Sequence, residues 1–341
     1  MILVLAGGVG GAKLANGLAK ILPPEDVLVA VNTGDDFVHL GLHISPDLDT
    51  VIYTLAGMNN PETGWGIAGE TWNAMAMLER LGGETWFRLG DRDLATHIAR
   101  TERLRKGQTL SEVTAEFCRA WGVRHRIVPM TDHEVATVLH TDEGLLSFQH
   151  YFVRRRCEPR VNRIDFVGAA NAPPSPAFAA ALADPRLRAV VFCPSNPYLS
   201  IQPILSLAGV RHALENLSAP VVAVSPLIGG AAVKGPAAKI MRELGNTPST
   251  AEIARFYLNL VDGLVIDDRD HDLGPCIAAM GLRVCISDTL MNNVADQMQL
   301  AGKILDFISS IATSAPANTS PNSCSPPSSP VVSNPTSRGP R

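Results

Sequence analysis

Four carboxylate side chains follow one apolar stretch of the sequence within fifteen residues. The stretch VLVAVN ends at Asn32, and after it come Asp35, Asp36, Asp47 and Asp49. Carboxylate oxygens are the ligands that hard divalent cations such as Mg²⁺ prefer. The spacing therefore favours a cation site, for which Asp36 and Asp49 are the predicted ligands. Because the residues after 49 have a helical pattern, either Asp47 or Asp49 could instead cap that helix.

Closely spaced glycines follow the first apolar run of the chain. The run ILVLA leads into a segment that contains Gly7, Gly8, Gly10, Gly11 and Lys13. A strand that turns through glycines into a helix points backbone N–H groups at an anion, so we predict that these residues bind phosphate. The segment fits neither the Walker A motif nor the G-x-G-x-x-G dinucleotide motif. The alternative is a tight turn without a ligand.

Two further apolar runs end in small and polar residues. Ser195 and Asn196 follow the run AVVFC, and Gly229 and Gly230 follow the run PVVAV. The carboxyl ends of parallel strands share one edge of a sheet, so we predict that both segments contact phosphate or base there. Three such segments indicate a ligand with a long polar surface, such as a nucleoside diphosphate. Each segment could otherwise be an ordinary connection between a strand and a helix.

Two charged segments give weaker indications. The segment RLGDRDLATHIAR contains Arg88, Asp93 and His97, and its arginines could clamp phosphates or stack on a flat ring. The segment IDDRDHDLG, residues 266–274, could bind a metal. Alternating charges are nevertheless typical of solvated surfaces. On the charge pattern alone we predict a solvated helix start for the first segment and a solvated loop for the second.

The elements that must position these residues alternate along the chain. Continuous apolar runs of strand length are typical of parallel strands that are covered on both faces. The runs span residues 2–6, 27–32, 189–195, 220–226, 263–268 and 282–287. Amphipathic stretches lie between several of them. This order predicts an α/β fold with a doubly wound, mostly parallel Rossmann-like sheet, which binds ligands at the carboxyl ends of its strands.

A helical segment interrupts the alternation. Residues from about 62 to 122 read as three helices, each of which ends near a glycine. We predict that they form a helical insertion near the ligand edge of the sheet. Residues 126–167 read as extended hairpin. The prediction is a single domain over residues 1–311, with its Rossmann-like core at 1–60 and 125–311.

Composition argues against several classes of protein. The 341 residues are 46% hydrophobic and 18% charged, and the formal net charge of −4 includes no basic block, so we expect no nucleic-acid partner. No run of about 20 apolar residues predicts a membrane span. Six widely spaced cysteines argue against a zinc site or disulfide framework, and we expect a cytoplasmic protein. Residues 312–341 are rich in Ser and Pro, which predicts a disordered tail.

Taken together, the motifs resemble the 2-phospho-L-lactate transferase family, which makes the deazaflavin coenzyme F-420. The similar segments include AGGVGGAKLANGL, NTGDDFVHLGLHISPDLDT, FRLGDRDLATHIAR, CPSNPYLSIQPILSL and VVAVSPLIGGAAVKGPAAKIM. They occur in order between residue 1 and about residue 308. The Ser- and Pro-rich tail is not part of the family pattern. The pair SPDLDT and GDRDLATH is more specific than any glycine-rich segment.

The resemblance implies a reaction and its partners. The acceptor would be the deazaflavin Fo, and the donor would be a guanosine diphosphate ester of a three-carbon phospho-acid. The terminal ribityl hydroxyl of Fo would attack the phosphorus that bears the acid, GMP would leave, and Mg²⁺ would assist. By position, Asp49 and Arg88 correspond to the family's contacts with Fo. Asp49 would be catalytic by orienting or deprotonating the hydroxyl, or by binding the metal.

Several alternatives remain beside this resemblance. Lactyl, enolpyruvyl and glyceryl donors are all compatible with the sequence. A related group with the same fold binds nucleotide sugars and acts in regulation, and it is the alternative to a transferase. A dehydrogenase is disfavoured because its G-x-G-x-x-G/A motif is incomplete here. Gly8 and Gly10 fit the first two positions, but Lys13 occupies the third. We also expect a homodimer.

Overall fold

A central parallel sheet organises the protein in a computed structural model, which describes residues 1–232 and 235–314. The strands are β1 Ile2–Ala6, β2 Val27–Val31, β3 Phe37–His39, β4 Leu42–Ile44, β5 Arg126–Pro129, β6 Ala136–Thr141, β7 Gly144–Ser147, β8 Val161–Val167, β9 Ala189–Phe192, β10 Val221–Val224, β11 Leu227–Ile228, β12 Ala231–Ala232, β13 Gly263–Ile266 and β14 Arg283–Ile286. Seven of them form the sheet, in the order β14-β13-β10-β9-β1-β2-β5. All neighbouring pairs are parallel. The predicted α/β fold is confirmed.

Helices cover both faces of this sheet. In chain order they are α1 Gly8–Ile21, α2 Pro46–Leu55, α3 Asn73–Arg80, α4 Asp91–Arg105, α5 Leu110–Ala120, α6 Pro176–Leu182, α7 Gln202–Leu205, α8 Val210–Glu215, α9 Ala237–Glu243, α10 Thr250–Phe256, α11 Gly274–Ala278 and α12 Val294–Ser314. Leu3 and Leu5 of β1 lie in one apolar core, and Ile2 and Val4 lie in the other. Both sets of alternate residues are buried, which explains the continuous apolar runs. Over the described ranges, no helix has both the length and the apolar character that crossing a membrane requires.

The last described helix packs on the first. The side-chain amide of Asn16 in α1 donates to Gln297 in α12 at 2.7 Å. A Cβ atom on Gly17 would lie 2.2 Å from the Gln297 carbonyl oxygen, so glycine is what allows this close approach. Helix α12 continues to Ser314 and passes the predicted start of the tail at residue 312. The rest of the predicted tail, residues 315–341, lies outside the described residues.

Three helices, α3, α4 and α5, occupy the predicted helical segment. The first is shorter than the sequence pattern indicated, because it begins at Asn73. The residues before it form turns in which Gly64, Gly66 and Gly69 adopt positive φ angles of 81°, 72° and 65°. Glycine adopts such angles without strain and weakens a helix, which accounts for the late start.

Residues 126–167 contribute to two different sheets. Strand β5 adds to the edge of the central sheet beside β2, although no strand of the central sheet was predicted there. Strands β6, β7 and β8 form a separate antiparallel sheet in the order β7-β6-β8. The predicted hairpin is therefore present, and one strand of this region belongs to the core.

Candidate active site

Three strand ends of the central sheet are joined by direct hydrogen bonds. The Ser195 hydroxyl, after β9, donates to the Gly7 carbonyl at 2.8 Å and accepts from the Gly7 N–H at 3.2 Å. Asn32, directly after β2, donates its backbone N–H to the Ala6 carbonyl at 2.9 Å. The Asn32 side chain then donates to Asp47 at 3.0 Å. The glycine-rich start, Ser195 and the acidic segment therefore meet at one edge, as the sequence predicted.

The predicted phosphate loop is the first turn of α1 rather than a loop before it. Helix α1 begins at Gly8, and its N-cap residue Gly7 provides no side-chain hydrogen bond. The Gly8 N–H donates instead to the Asp47 carboxylate at 2.8 Å. A helix N-terminus favours an anion, and here Asp47 supplies the negative charge. Phosphate binding by Gly7 and Gly8 stays a prediction. A phosphate could accept from the Gly8 N–H only if the Asp47 carboxylate moved away or shared that hydrogen bond.

Gly10 and Gly11 allow α1 to pack against the segment after β9. A Cβ atom on Gly10 would lie 2.3 Å from the Pro194 carbonyl oxygen. A Cβ atom on Gly11 would lie 2.8 Å from the Ser195 hydroxyl oxygen. Contacts this short require the neighbouring atoms to move, and the Pro194 carbonyl belongs to the backbone. Close packing therefore explains both glycines without a ligand, and their role in phosphate binding remains a prediction.

Replacing Gly10 with alanine should destabilise the folded protein even without a ligand. The added methyl group overlaps backbone, and overpacking of this kind costs about 1–3 kcal/mol of unfolding free energy. Gly302→Ala is the matched control, because a Cβ atom on this glycine of α12 would lie more than 4 Å from every described neighbour. Alanine should stabilise that helix by about 0.5–1 kcal/mol. Urea denaturation measures both changes, and an unaltered midpoint for Gly10→Ala would contradict the packing explanation.

Two other predicted phosphate ligands have partners within the protein. The Lys13 ammonium donates to the Met291 carbonyl at 2.6 Å, on the loop before α12. The Asn196 side chain accepts from the N–H groups of Tyr198 and Leu199 at 3.0 and 3.3 Å. Asn196 thus caps the helical turn that follows it. Contact of either residue with a phosphate stays a prediction.

Gly229 and Gly230 form the turn of a short hairpin. They connect β11 and β12, which are antiparallel, and their φ angles are 58° and 73°. Positive φ at both central residues is the requirement of a two-residue type I′ turn, which explains the Gly-Gly pair. The Gly229 N–H donates to Asp270 at 3.0 Å. The segment is therefore a hairpin rather than a direct connection to a helix, and its contact with phosphate remains a prediction.

The second charged segment is solvated only in part, because Asp268, Arg269, His271 and Asp272 are exposed but its other two acids are not. Asp267 and Asp270 are both buried. Asp267 accepts from the N–H and the hydroxyl of Thr289 at 3.0 and 2.9 Å, and Asp270 accepts from the Thr250 hydroxyl at 3.0 Å. These carboxylates hold loops together at the ends of β13 and β14. The alternating pattern misled because it does not distinguish acids that face solvent from acids that accept buried hydrogen bonds.

A buried cluster of three carboxylates follows β2. Asp35, Asp36 and Asp47 lie at the ligand edge, and Asp35 and Asp47 are at most 7% exposed. Burial raises the pKa of Asp35 well above its ordinary value, and the charges of Asp47 and Asp36 raise it further. Burial also raises the pKa of Asp47 to about 6, although hydrogen bonds from Asn32 and Gly8 oppose the shift. Both carboxyl groups are therefore protonated more readily than an exposed aspartate.

Asp36 has one satisfied and one unsatisfied carboxylate oxygen. Its Oδ2 accepts from the Ser45 hydroxyl at 2.6 Å and lies 3.2 Å from Nε2 of His43. Burial raises the pKa of Asp36, and the hydrogen bond from His43 opposes that shift. Its Oδ1 is buried and has no hydrogen-bond partner among the residues that the structure describes. A buried unpaired oxygen is costly, so this atom points to a missing ligand.

Asp49 belongs to α2, and its carboxylate faces α4, where Arg100 binds it. The Arg100 guanidinium donates to both carboxylate oxygens, with Nη1 at 3.0 Å from Oδ2. His97 Nδ1 lies 3.7 Å from the same Oδ2, and His97 Nε2 lies 3.4 Å from Asp93. Asp93 accepts in turn from the Tyr53 hydroxyl at 2.7 Å. We use the name buried circuit for the five residues Asp49, Tyr53, Asp93, His97 and Arg100.

This circuit corrects two predictions from the sequence. The predicted solvated helix start is wrong for His97, which is 1% exposed, and Asp93 is largely covered as well. Neither Asp47 nor Asp49 is the N-cap of α2, because Ser45 occupies that position. Arg100, which was not among the predicted site residues, is 1% exposed. Its signals were its place at the end of the segment RLGDRDLATHIAR and its position seven residues after Asp93, on the same face of a helix.

Arg88 lies apart from this circuit on the protein surface. Its guanidinium carbon stacks over the ring of Trp72 at 4.2 Å from the centroid. Both residues line a cleft of about 310 Å³ together with Met75, Glu79 and Thr85. An arginine on an aromatic face can also stack on a flat ligand ring. The predicted contact between Arg88 and a deazaflavin stays a prediction, and Asp49 and Arg88 differ sharply in exposure.

Unsatisfied buried polar atoms are concentrated in one part of the chain. Among the described residues, the buried side-chain nitrogens and oxygens without a hydrogen-bond partner are Thr33 Oγ1, Asp36 Oδ1, His39 Nε2, Trp86 Nε1 and His97 Nε2. All five belong to the segment between the end of β2 and the middle of α4. Groups of this kind are rare in folded proteins and require an explanation. Their concentration beside the acidic cluster marks this segment as the candidate active site.

Comparisons with known proteins agree with the resemblance seen in the motifs. A family model described as 2-phospho-L-lactate transferase CofD matches residues 2–277. A 2-phospho-L-lactate transferase from Methanopyrus kandleri is 42% identical over 311 residues, which cover 89% of this chain and 96% of that protein. A phosphoenolpyruvate transferase from Streptomyces coelicolor is 39% identical over 310 residues, with 89% and 97% covered.

A solved structure supports the fold. A member of the UPF0052 family from Bacillus halodurans aligns with a TM-score of 0.57 at 13% identity. The alignment covers 89% of this chain and 98% of that one. At this identity the likeness shows only that the two chains share an architecture.

Proposed function

Since this chain belongs to the 2-phospho-L-lactate transferase CofD family, we propose that it transfers a phospho-(three-carbon acid) group from a guanosine diphosphate ester to the ribityl hydroxyl of Fo. The chain is a transferase of F-420 biosynthesis. In the proposed reaction a bond forms between the ribityl oxygen and phosphorus, the hydroxyl proton passes to a base, and the bond from phosphorus to GMP breaks. The products are GMP and a phosphodiester of Fo, which is coenzyme F-420-0 when the donor carries the lactyl acid. The observation that carries the proposal is the concentration of unsatisfied buried polar atoms beside the acidic cluster.

The residues of the site suit such a transfer. Phosphoryl transfer depends mainly on positioning and on neutralising charge. An ionised carboxylate has about four acceptor positions, and Arg100 uses two of those on Asp49. The two that remain are sufficient to orient the ribityl hydroxyl and to accept its proton. Asp49 is therefore the residue that we assign to the attacking group.

The acidic cluster fits a hard divalent cation. Asp36 offers a buried oxygen that has no hydrogen-bond partner among the described residues, and burial together with neighbouring carboxylates raises the pKa values of Asp35 and Asp47. Magnesium binds such oxygen ligands and would neutralise charge on a diphosphate. Of the predicted pair Asp36 and Asp49, we assign the metal chiefly to Asp36. Among the described residues, Asp49, Asp93 and His97 have ligand atoms within 4.8 Å of one another and form the alternative position for the ion. Arg100 already neutralises Asp49.

The cleft beside Arg88 suits the deazaflavin ring. Trp72 is 36% exposed and Arg88 is exposed, so a planar ligand can reach both. A guanidinium group over an aromatic ring forms a favourable stack that a heteroaromatic ring can join. This placement supports Arg88 as a contact of Fo. We also propose that this protein is a homodimer.

Product analysis tests the proposed function directly. The purified chain is incubated with Fo, Mg²⁺ and each of three guanylated donors, which carry lactyl, enolpyruvyl or glyceryl acids. We expect one donor to give a phosphodiester of Fo and an equal amount of GMP, both identified by mass spectrometry. Relatives named for phosphoenolpyruvate and for 2-phospho-L-lactate make the first two donors the leading candidates. Binding of a nucleotide sugar without turnover of any donor would contradict the proposal and favour the regulatory alternative.

A further inference from the structure

Arg100 holds the Asp49 carboxylate in one orientation. Its two terminal nitrogens each donate to a different oxygen of Asp49, so the guanidinium and carboxylate planes form a fork. Such bidentate pairs fix geometry as well as charge. Arg100 is among the largest fully buried side chains of the protein. A buried side chain with both ends packed has little freedom, and the carboxylate that it binds shares that rigidity.

The rest of the buried circuit fixes Arg100. His97 Nδ1 lies 3.3 Å from Arg100 Nη1, and the ring of Phe117 faces the guanidinium carbon at 5.7 Å. On the other side of His97, Asp93 accepts from Tyr53, which lies one turn after Asp49 on α2. The contacts therefore run from α2 to α4 and back to α2. Neither helix can shift without changing the direction of the Asp49 carboxylate.

We propose that Arg100 is a positioning residue that orients Asp49 toward the hydroxyl that attacks phosphorus. The proposal rests on the proposed function, because it assigns Asp49 to the attacking group. Arg100 occupies two acceptor positions of the carboxylate and directs the other two. It touches neither the acceptor nor the donor, and it acts only through Asp49.

Stability alone does not explain this arrangement. Replacing a buried ion pair with apolar side chains is often neutral or stabilising, so α2 and α4 could pack without Arg100 and Asp49. The pair also stands at the ligand edge, where Asp49 lies in the first turn of α2. Its neighbour two residues earlier, Asp47, belongs to the acidic cluster. Orientation of a reacting group accounts for a charged pair at this position.

Arg100→Lys provides the test, because lysine keeps the positive charge and loses the fork. We expect the single-turnover rate of transfer to Fo to fall by about 10- to 100-fold, the scale of a misplaced reacting group. The dissociation constant of the guanine nucleotide should stay within about twofold of the wild type, because that ligand is not bound through Asp49. A parallel loss of rate and nucleotide affinity would overturn the proposal in favour of a structural role.

Arg103→Lys is the matched control. Arg103 lies one turn further along α4, faces the same Phe117 ring at 5.4 Å, and pairs with Glu116 at 2.8 Å instead of Asp49. Its substitution should leave the transfer rate unchanged. Equal losses in the two lysine variants would show that α4 packing, rather than the orientation of Asp49, limits the rate.

Coupling between the two residues gives a second readout. In an Asp49→Asn background, Arg100→Lys should reduce the residual rate less than twofold, because the group that Arg100 orients has lost its function. A full and independent loss in the double variant would overturn the proposal. This nonadditivity is expected for residues that act as a unit.

A structural readout separates this proposal from the proposed function. Crystal structures of Arg100→Lys and Arg103→Lys show directly whether the Asp49 carboxylate has rotated. We expect rotation in the first variant alone, and an unchanged carboxylate in both would overturn the positioning role. If the wild type transfers nothing to Fo, the proposed function fails. The crystal structures still decide whether Arg100 fixes the direction of the Asp49 carboxylate, because they do not depend on activity.

Discussion

Replacing Asp49 with asparagine should lower the single-turnover rate of transfer by about 10²–10⁴-fold, the usual contribution of general base catalysis. Asparagine has nearly the same shape but cannot take a proton or balance the Arg100 charge. Guanine-nucleotide affinity should change much less, because Asp49 faces Arg100 and His97 rather than the glycine-rich turn. Rapid-quench kinetics measures the rate, and nucleotide titration measures the affinity.

Loss of a helix cap would not account for this result. Ser45 is the N-cap of α2, and asparagine caps a helix about as well as aspartate. Glu116→Gln is the control, since it makes the same acid-to-amide change at the partner of Arg103. It should leave the rate intact. Near-normal turnover by Asp49→Asn would demote this residue and make Asp35 or Asp36 the stronger candidate.

Removing divalent cations should reduce transfer by at least about 100-fold, because a metal supplies several kcal/mol of charge stabilisation in such reactions. The acidic cluster provides the physical reason, since three buried carboxylates repel one another without a cation. Transfer is measured after excess EDTA and again after Mg²⁺ is restored. Full turnover in EDTA would contradict the predicted cofactor.

The cluster itself is tested by the concentration of Mg²⁺ that gives half the maximal rate. Asp36→Asn removes the negative charge of the carboxylate whose Oδ1 we assign to the metal. The substitution should raise the Mg²⁺ concentration for half-maximal rate by at least about tenfold. Asp132→Asn is the control, because Asp132 accepts from the Ser111 N–H in the first turn of α5 at 2.7 Å and lies outside the cluster. Identical magnesium dependence in the wild type and Asp36→Asn would assign the metal elsewhere.

Much of the fold could be predicted because buried parallel strands have a simple signature. Residues 2–6 are apolar without interruption, and the structure buries alternate residues in two different cores. Strand β5 escaped prediction because it begins with the exposed Arg126 and ends with Pro129, which leaves two apolar residues between them. An edge strand has one neighbour, so its sequence is less constrained.

The site was less predictable because its decisive contacts join distant residues. Gly10 looked like a phosphate contact, yet its nearest constraint is the Pro194 carbonyl, far along the chain. His97 and Asp93 have the spacing of a solvated ion pair, and only the packing of α2 against α4 buries them. Periodicity reports which residues share a face of a helix, and it does not report what covers that face.

Strand β1 lies inside the sheet between β9 and β2. The ribosome synthesises these two neighbouring strands at very different times. Ile2 pairs with Val27 on one side and with Ala189 on the other, and α1 packs on Gln297. A nascent chain that has not reached β9 therefore carries a fully apolar strand with one open edge, which invites pairing with other chains. Such long-range pairings slow folding. We therefore expect truncated N-terminal fragments to aggregate when expressed alone.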